Sequence, residues 1–278
     1  MSSQSSDKKR FSENSFSNDL RLVFRLSLND FKKRYAGSYL GFIWALVQPV
    51  VTVFMYWFVF DRFFNQKGQL VAPGLDIPYV LYLTSGLVPW FFFSECMSQG
   101  TNALHEYTFL VKQVVFKVSI LPLIKCVAAV FTHAFFVVVM IVVAALYGIY
   151  PSVSMLQFIY YSFCLFVLAA GLVYLTSALD VFFRDLSQII NVLLQLGMWA
   201  TPILWNVNII NDSPVLVRII KLNPLFYITD GYRKALAGGG WFVSDVKGTL
   251  YFWGVTVLVF LFGTFVFKRL RPRFADVL

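Results

Sequence analysis

Residues that could carry out chemistry are few in this sequence. Gly238, Gly239 and Gly240 form a run that could approach a phosphate, but Trp241 follows them and the pattern GxxxxGK[ST] occurs nowhere. That pattern supplies the loop and the lysine with which many proteins bind nucleotide phosphates. We therefore expect the chain to bind no nucleotide by this device.

Patterns typical of metal sites are incomplete as well. His105-Glu106 is followed by Tyr107, so the zinc motif HExxH is not formed. His133 stands alone in an apolar run, where a histidine more often packs than binds a metal. The three cysteines contain no CxxC pair, which disfavours zinc and disulfide interpretations. The sequence predicts no metal site and no catalytic group of residues.

Composition explains why so few polar groups are present. The 278 residues are 59% hydrophobic and only 13% charged, whereas a soluble domain carries about 25% charged residues. Such a chain needs lipid as its solvent, and its length allows about six helical spans. The net charge is +9. The Lys and Arg residues that produce it lie between apolar runs, where they orient a membrane protein, so the charge predicts no nucleic-acid partner.

The pattern predicts an all-α integral membrane protein. We expect a disordered cytoplasmic tail over residues 1–15 and an amphipathic interfacial helix over 16–37, in which Leu20, Phe24, Leu28, Phe31 and Tyr35 share one face. The remainder, 38–278, forms the transmembrane domain. Its spans are predicted at about 41–61, 77–97, 119–147, 155–178, 186–205 and 249–267. Placing both termini inside puts sixteen of the 23 Lys and Arg residues on the cytoplasmic side.

Two local patterns predict helix ends. Asn223 suits an N-cap, Pro224 suits the first helical position and Gly238 suits the stop, which indicates a short helix before the last span. With the apolar stretch 215–220 it predicts two re-entrant helices in the outer leaflet, although a plain surface loop explains the pattern equally well. Asp185-x-x-Gln188 predicts that Asp185 caps the fifth span, and Arg184 is expected to pair with Asp180.

Three stretches resemble a known family. They are residues 34–44 (RYAGSYLGFIW) followed by Pro49, residues 180–186 (DVFFRDL) followed by 201–204 (TPIL), and Asn223-Pro224 followed by Gly231-Tyr232-Arg233. Together with the ending RFADVL they resemble the permeases of type-2 ABC exporters for O-antigen, capsule and teichoic acid. The resemblance extends from about Leu20 to the C-terminus.

The resemblance implies a six-span subunit that forms a homodimer in the bacterial cytoplasmic membrane. It implies that two copies of a separate ABC ATPase subunit bind the cytoplasmic face and hold ATP and Mg²⁺, so that this chain is no enzyme and binds no cofactor. It also implies that a polysaccharide linked to undecaprenyl diphosphate crosses the membrane through a pore between the two permeases.

The resemblance and the charge pattern together suggest functional residues. The expected contacts with the ATPase are Arg25, Glu106, Lys112 and Lys117. The expected substrate-path or gating residues are Arg34, Ser38, Trp44, Tyr56, Trp57, Trp90, Arg184, Asn223, Pro224 and Arg233. For the aromatic members, and for Tyr174, packing or a membrane-interface belt is the competing interpretation.

Two other functions stay open at this level. An integral-membrane transferase acting on a lipid-linked sugar would need acidic or histidine residues clustered at one membrane face, and no convincing cluster is found. A channel or scaffold would need no ATPase partner. A proton- or sodium-coupled carrier is disfavoured, because the predicted spans are nearly free of ionisable residues.

Overall fold

The structure, a computed structural model, describes residues 21–34, 39, 41, 43–65, 68–72, 74–112, 117–210 and 212–278. Residues 21–34 are helical and form α1. The other α-helices are α2 (Ile43–Phe58), α3 (Tyr79–Thr101), α4 (Ala103–Glu106), α5 (Thr108–Val111), α6 (Ile120–Leu146), α7 (Gln157–Asp180), α8 (Leu186–Ala200), α9 (Pro214–Lys221), α10 (Pro224–Ala237), α11 (Val246–Leu270) and α12 (Phe274–Val277). A π-helical turn at Val59–Phe63 continues α2, and 3₁₀ turns lie at Val153–Leu156, Val207–Ile210, Phe242–Ser244 and Arg271–Arg273.

In the described part of the chain, five helical segments are long and apolar enough to cross a membrane. They are Leu46–Phe63, Tyr79–Thr101, Ile120–Leu146, Val153–Asp180 and Val246–Val277. The remaining predicted span, the fifth at 186–205, corresponds to α8, which has only 15 residues. The chain is thus a multi-pass, nearly all-helical membrane protein, with five helices that meet the length expected of a span.

The all-α expectation needs one correction. The predicted loop after the first span contains an antiparallel hairpin of two strands, β1 (Gly68–Ala72) and β2 (Leu75–Pro78). Gly74 has a φ of +76° at the turn, a conformation that glycine adopts without strain. The hairpin also displaces the second span: α3 begins at Tyr79, after the predicted start at residue 77, and ends at Thr101, beyond the predicted end at residue 97.

The bundle is centred on α3 and α7. Most of α3 is buried, and it packs against both α6 and α7. Gly171 on α7 faces Gly263 and the backbone of Phe260 on α11, and a Cβ at either glycine would collide with the other helix. Small residues of this kind let helix backbones approach closely inside a membrane. The pair fixes α11 against the centre of the bundle.

The fifth predicted span is interrupted. Helix α8 ends at Ala200 and not at Trp205, because Thr201 is extended, with ψ 133°, and precedes Pro202. The residue before a proline is disfavoured in the helical conformation. Non-helical backbone at this depth is tolerated only where protein buries it, and Thr201, Ile203 and Leu204 are buried.

The two ends of α8 lie at opposite ends of α3. Near its start, the Ser187 hydroxyl oxygen lies 2.8 Å from Oδ1 of Asn102. Just after the break, the Tyr82 hydroxyl donates to the carbonyl of Trp205 at 2.9 Å. The segment from Ser187 to Trp205 therefore extends along most of α3, and the non-helical residues complete the distance that α8 does not cover.

The bundle has two distinct ends. At the first end, Ser27 of α1 donates to the carbonyl of Ile124 in α6 at 3.0 Å, and α12 packs on α5. At the second end, α10 packs against the hairpin, the starts of α3 and α7, and α11. Chain direction puts the starts of α6 and α8 at the first end and the starts of α3, α7 and α11 at the second.

Candidate functional site

A buried charge network joins three helices at the first end. It consists of Asp30, Arg34, Glu95, Glu106, Tyr107 and Lys125. Lys125, in the second turn of α6, donates to Asp30 of α1 at 2.5 Å, and both side chains are nearly fully buried. Arg34 bridges Asp30 at 3.0 Å and Glu95 of α3 at 2.5 Å. The α1 helix is therefore tied to the bundle by ion pairs.

Contacts from the α4–α5 segment complete this network. The Tyr107 hydroxyl donates to Oδ1 of Asp30 at 2.6 Å, and Lys125 also contacts Glu106 at 2.6 Å. Burial raises the pKa of Asp30, but hydrogen bonds from Lys125 and Tyr107, with the charges of Lys125 and Arg34, outweigh it and hold this pKa below its usual value. Burial and the Asp30 carboxylate raise the pKa of Tyr107. Asp30 is therefore ionised at neutral pH, and Tyr107 keeps its proton.

The network draws on one face of α1 and on two of the spans. The α1 face that is buried carries Ser27 and Asp30, whereas Phe24 of the predicted apolar stripe is half exposed. Phe24 and Phe31 instead contact the ring of Phe131 at 5.8 and 5.7 Å, while Leu20 and Tyr35 lie outside the described residues. Glu95 and Lys125, the ionisable members of the network that belong to α3 and α6, both lie toward the first end of those helices.

The four predicted ATPase contacts all lie at the first end. Glu106 ends α4, is half exposed and pairs with Lys125. Lys112 follows α5 directly, Lys117 lies just before α6, and Arg25 is on the exposed side of α1. Of the four, Glu106 is a member of the buried charge network.

A cavity of about 870 Å³ opens between α2, α3 and α6, with Arg34 at one side. We call it the α2–α3 cavity. Two predicted substrate-path residues, Arg34 and Trp44, line it together. Its other lining residues combine aromatic rings with amides and hydroxyls: Gln48, Thr52, Phe91, Phe92, Ser94, Glu95, Ser98, Gln99, Thr132, His133 and Phe136 among them.

The other predicted aromatic residues are placed differently. Trp57 lines a separate apolar cavity of about 240 Å³ beside Phe54 and Val80. Tyr56 is partly buried against the core, and Trp90 is 5% exposed. A Cβ at Gly197 of α8 would lie 3.0 Å from the Trp90 ring. Tyr174 is buried, and its hydroxyl donates to the carbonyl of Ser119 at 3.0 Å. Ser38 lies outside the described residues.

At the second end, side chains satisfy the carbonyls that the break after α8 leaves free. Arg233 donates to Ile203 O at 3.0 Å, Tyr79 to Leu204 O at 2.9 Å and Tyr82 to Trp205 O at 2.9 Å. We call Tyr79, Tyr82 and Arg233 the carbonyl clamp. The guanidinium of Arg233 is buried and lies 3.6 Å from the centre of the Tyr82 ring. Predicted as a gating residue, Arg233 thus holds the irregular segment in place.

Asn223 and Pro224 have the predicted geometry. The Asn223 carboxamide accepts from the backbone N–H of Leu225 at 3.0 Å, Pro224 opens α10, and Gly238 ends it with a φ of +73°. Asn223 also donates through its amide to Thr201 Oγ1 at 2.9 Å. The cap therefore ties the start of α10 to the break after α8.

The interactions predicted for Arg184 and Asp185 are wrong. Asp185 makes no side-chain cap bond. Instead, Asp180 accepts from the backbone N–H of Ser187 at 3.1 Å and from its hydroxyl at 2.7 Å, so a residue of the preceding helix caps α8. Asp180 also lies 3.3 Å from Nε2 of His105, and within the described chain no ion pair joins it to exposed Arg184.

Sequence reasoning missed Asp30, Glu95, Lys125, Tyr79 and Tyr82. One signal was available for Lys125, since a lysine in a strongly apolar run needs a buried partner or a position near the membrane surface. The identity of that partner, 95 positions earlier in the chain, could not be obtained from spacing.

The family model and the relatives found by comparison with known proteins agree with each other. A family model described as ABC-2 type transporter matches residues 21–237. The O-antigen export system permease protein RfbA of Myxococcus xanthus is 26% identical over 255 residues, which cover 92% of this chain and 94% of that protein. A protein of the same name from Klebsiella pneumoniae is 28% identical over 264 residues, covering 92% and 95%.

Proposed function

The chain belongs to the ABC-2 type transporter family, and we propose on this premise that it is the membrane permease of an ATP-driven exporter of O-antigen-type polysaccharide. The observation that carries the proposal is similarity along nearly the whole chain to O-antigen export permeases. The protein is a transport subunit. ATP and Mg²⁺ are bound by a separate ATPase subunit, and the substrate is carried on undecaprenyl diphosphate.

We infer six crossings of the cytoplasmic membrane, with both termini inside. Ser187 and Trp205 contact α3 at Asn102 and Tyr82, which are about 30 Å apart at 1.5 Å per residue. That distance equals the thickness of the hydrocarbon core, about 30 Å. The segment from α8 to Trp205 thus covers the height of a span, with its irregular part buried in protein.

The first end is the cytoplasmic, ATPase-binding end in this proposal. It carries α1 as an interfacial helix, together with α4 and α5 and the basic residues Lys268, Arg269, Arg271 and Arg273 around the end of α11. Its exposed charges include Arg25, Glu106 and Lys112. The second end is external, and there α9 and α10 form the short helices of the outer leaflet.

The partner in the membrane is a second copy of the same chain. None of the described side chains of α2 is buried within the subunit, and its exposed apolar residues include Val50, Phe54 and Phe58. Because a two-fold axis brings identical positions together, Phe54→Cys should form a disulfide-linked dimer on oxidation. Leu258→Cys, on the exposed side of α11, is the matched control and should stay monomeric.

Deleting the gene tests the function directly. Lipid-linked polymer should accumulate on the cytoplasmic side and be absent from the cell surface, and the intact gene should restore export. Polymer that reaches the surface normally in the deletion strain would contradict the proposal.

Thiol labelling tests the topology. Asp212 lies in the loop before α9 and is exposed, whereas the native Cys96, Cys126 and Cys164 are buried. Asp212→Cys should react with an impermeant thiol reagent added to intact spheroplasts. Lys112→Cys should react only after permeabilisation, and the reverse pattern would invert the topology.

A further inference from the structure

The α2–α3 cavity lies in the half of the bundle that the proposed function assigns to the cytoplasmic leaflet. Its walls come from the first half of α2, the second half of α3 and the middle of α6. Because α3 ends at the first end, Ser94, Ser98 and Gln99 lie toward that end. A molecule that enters from the cytoplasm would therefore reach this cavity early in its passage.

Polar groups without partners line this cavity. The Oγ1 atom of Thr132 is buried and has no hydrogen-bond partner among the described residues, and the residue as a whole is only 7% exposed. Within the described part of the chain, no side-chain hydrogen bond is recorded for Gln48, Ser98 or Gln99 either. A buried hydroxyl without a partner is costly, so Thr132 favours an occupant that supplies a donor or an acceptor. Gln48, which is exposed, and Ser98 and Gln99, which are partly buried, can contact the same occupant.

The apolar part of the lining is aromatic. Trp44 on α2 and Phe91, Phe92 and Phe136 on α3 and α6 contribute rings. Aromatic faces pack against the C–H surfaces of rigid ligands while amides and hydroxyls contact their polar edges. A volume of about 870 Å³ lies within the range of about 300–1,000 Å³ common for ligand pockets.

The charges of the lining disfavour an anion. Arg34 and Glu95 are the charged residues that the structure places on the cavity wall, and they pair with each other. Arg34 also contacts Asp30, so two carboxylates already balance its charge. A diphosphate would add negative charge beside these carboxylates, which costs free energy.

We propose that the α2–α3 cavity binds an uncharged sugar unit of the exported molecule, and not its lipid diphosphate. The proposal rests on the proposed function and adds a site within a single subunit, formed by α2, α3 and α6. Gln48, Ser98, Gln99 and Thr132 hydrogen-bond the sugar hydroxyls, and the aromatic rings contact its C–H face.

A protection experiment tests the proposal on the purified complex of permease and ATPase. Ser98→Cys replaces a lining hydroxyl with a thiol that N-ethylmaleimide can label. Delipidated polysaccharide from the host strain should slow this labelling, whereas undecaprenyl diphosphate without sugar should not. Val138→Cys on the exposed side of α6 is the control, and the delipidated polysaccharide should leave its labelling unchanged.

A second variant measures affinity without filling the cavity. Thr132→Val with Gln48→Leu keeps shape but removes two hydrogen-bonding groups, so the polysaccharide concentration that gives half protection of Ser98→Cys should rise about tenfold. Met55→Leu with Val138→Leu, both at exposed apolar positions of α2 and α6 away from the cavity wall, is a matched apolar control and should leave that concentration within about twofold.

The possible outcomes separate this proposal from the proposed function. Protection by undecaprenyl diphosphate alone, or equal protection of Val138→Cys, overturns the sugar site. So does an absence of protection by polysaccharide, or an unchanged half-protection concentration in the double variant. The gene deletion tests export separately. If polymer accumulates inside the deletion strain, the export function is supported even when the protection experiment contradicts the sugar site.

Discussion

Each end of the molecule buries a cation, and the surroundings of the two cations differ. Lys125 at the first end contacts two carboxylates, Asp30 and Glu106, from segments outside its own helix. Arg233 at the second end lies on the Tyr82 ring and donates to backbone carbonyls. Within the described residues no ion pair is formed by Arg233, and its nearest acidic neighbour in sequence, Asp230, pairs with Lys234 at 2.6 Å.

This difference suggests different mechanical roles. Ion pairs between α1, α3 and α6 join separate segments through side chains, so the segments can shift while their charges stay partnered. The carbonyl clamp instead donates to the carbonyls of an interrupted backbone, and such carbonyls need protein donors where water is excluded. We expect the first end to transmit movement from the ATPase and the second end to stay fixed around the break.

The largest expected effect comes from the Asp30–Lys125 pair. Lys125→Met should lower the free energy of unfolding by about 3–5 kcal/mol, because it leaves Asp30 buried without its main partner. Asp30→Asn combined with Lys125→Met should recover much of that loss. Thermal unfolding of the purified complex measures both, with Lys221→Met on the exposed face of α9 as the control.

A double variant no more stable than Lys125→Met alone would contradict the ion-pair interpretation. It would show that Lys125 stabilises the first end through packing of its aliphatic chain. Lys221→Met should lie within about 0.5 kcal/mol of the wild type, since exposed substitutions rarely do more.

The second effect tests the carbonyl clamp. Arg233→Ala removes the donor to Ile203 O and should cost about 1–3 kcal/mol, the usual penalty for a buried acceptor left unsatisfied. Arg233→Lys should recover only part of this, because lysine lacks the planar group that lies on Tyr82. For both variants, the free energy of unfolding and the amount of polymer at the cell surface are measured.

The neighbouring residue provides the control for this variant. Lys234→Ala removes a partly exposed ion pair with Asp230 and should cost at most about 1 kcal/mol. Equal losses for Arg233→Ala and Lys234→Ala would remove the distinction between the clamp and an ordinary surface pair.

The third effect concerns the cap of α10. Asn223→Ala removes the bond to Leu225 N and the link to Thr201, and should cost about 1–2 kcal/mol. Surface polymer should fall while the ATPase still copurifies. Ser213→Ala is the control, because Ser213 precedes α9 and makes no side-chain cap bond. If Ser213→Ala loses as much stability as Asn223→Ala, the loss in Asn223→Ala does not come from the cap.

Local features could be predicted from sequence, and long-range ones could not. The cap at Asn223, the opening at Pro224 and the stop at Gly238 depend on residues close together in the chain. The partners of Asp30 and of Ile203 are 95 and 30 positions away, and no spacing rule joins them. The Asp185 cap was wrong, and Asp180, seven residues before Ser187, accepts from the backbone N–H of Ser187 at the start of α8.

Substitution of Glu106 should have the smallest effect on stability and a large effect on coupling to the ATPase subunit. Its side chain is half exposed and Lys125 keeps Asp30 as a partner, so Glu106→Gln should change the free energy of unfolding by at most about 1 kcal/mol. Glu106→Lys should weaken copurification of the ATPase subunit or its transport-coupled hydrolysis. Asp276→Lys, exposed on α12 at the same end, is the matched charge reversal. If Asp276→Lys disturbs the ATPase as strongly, or Glu106→Lys leaves it intact, the coupling surface is not centred on α4 and the proposed route from the ATPase to the buried charge network is wrong.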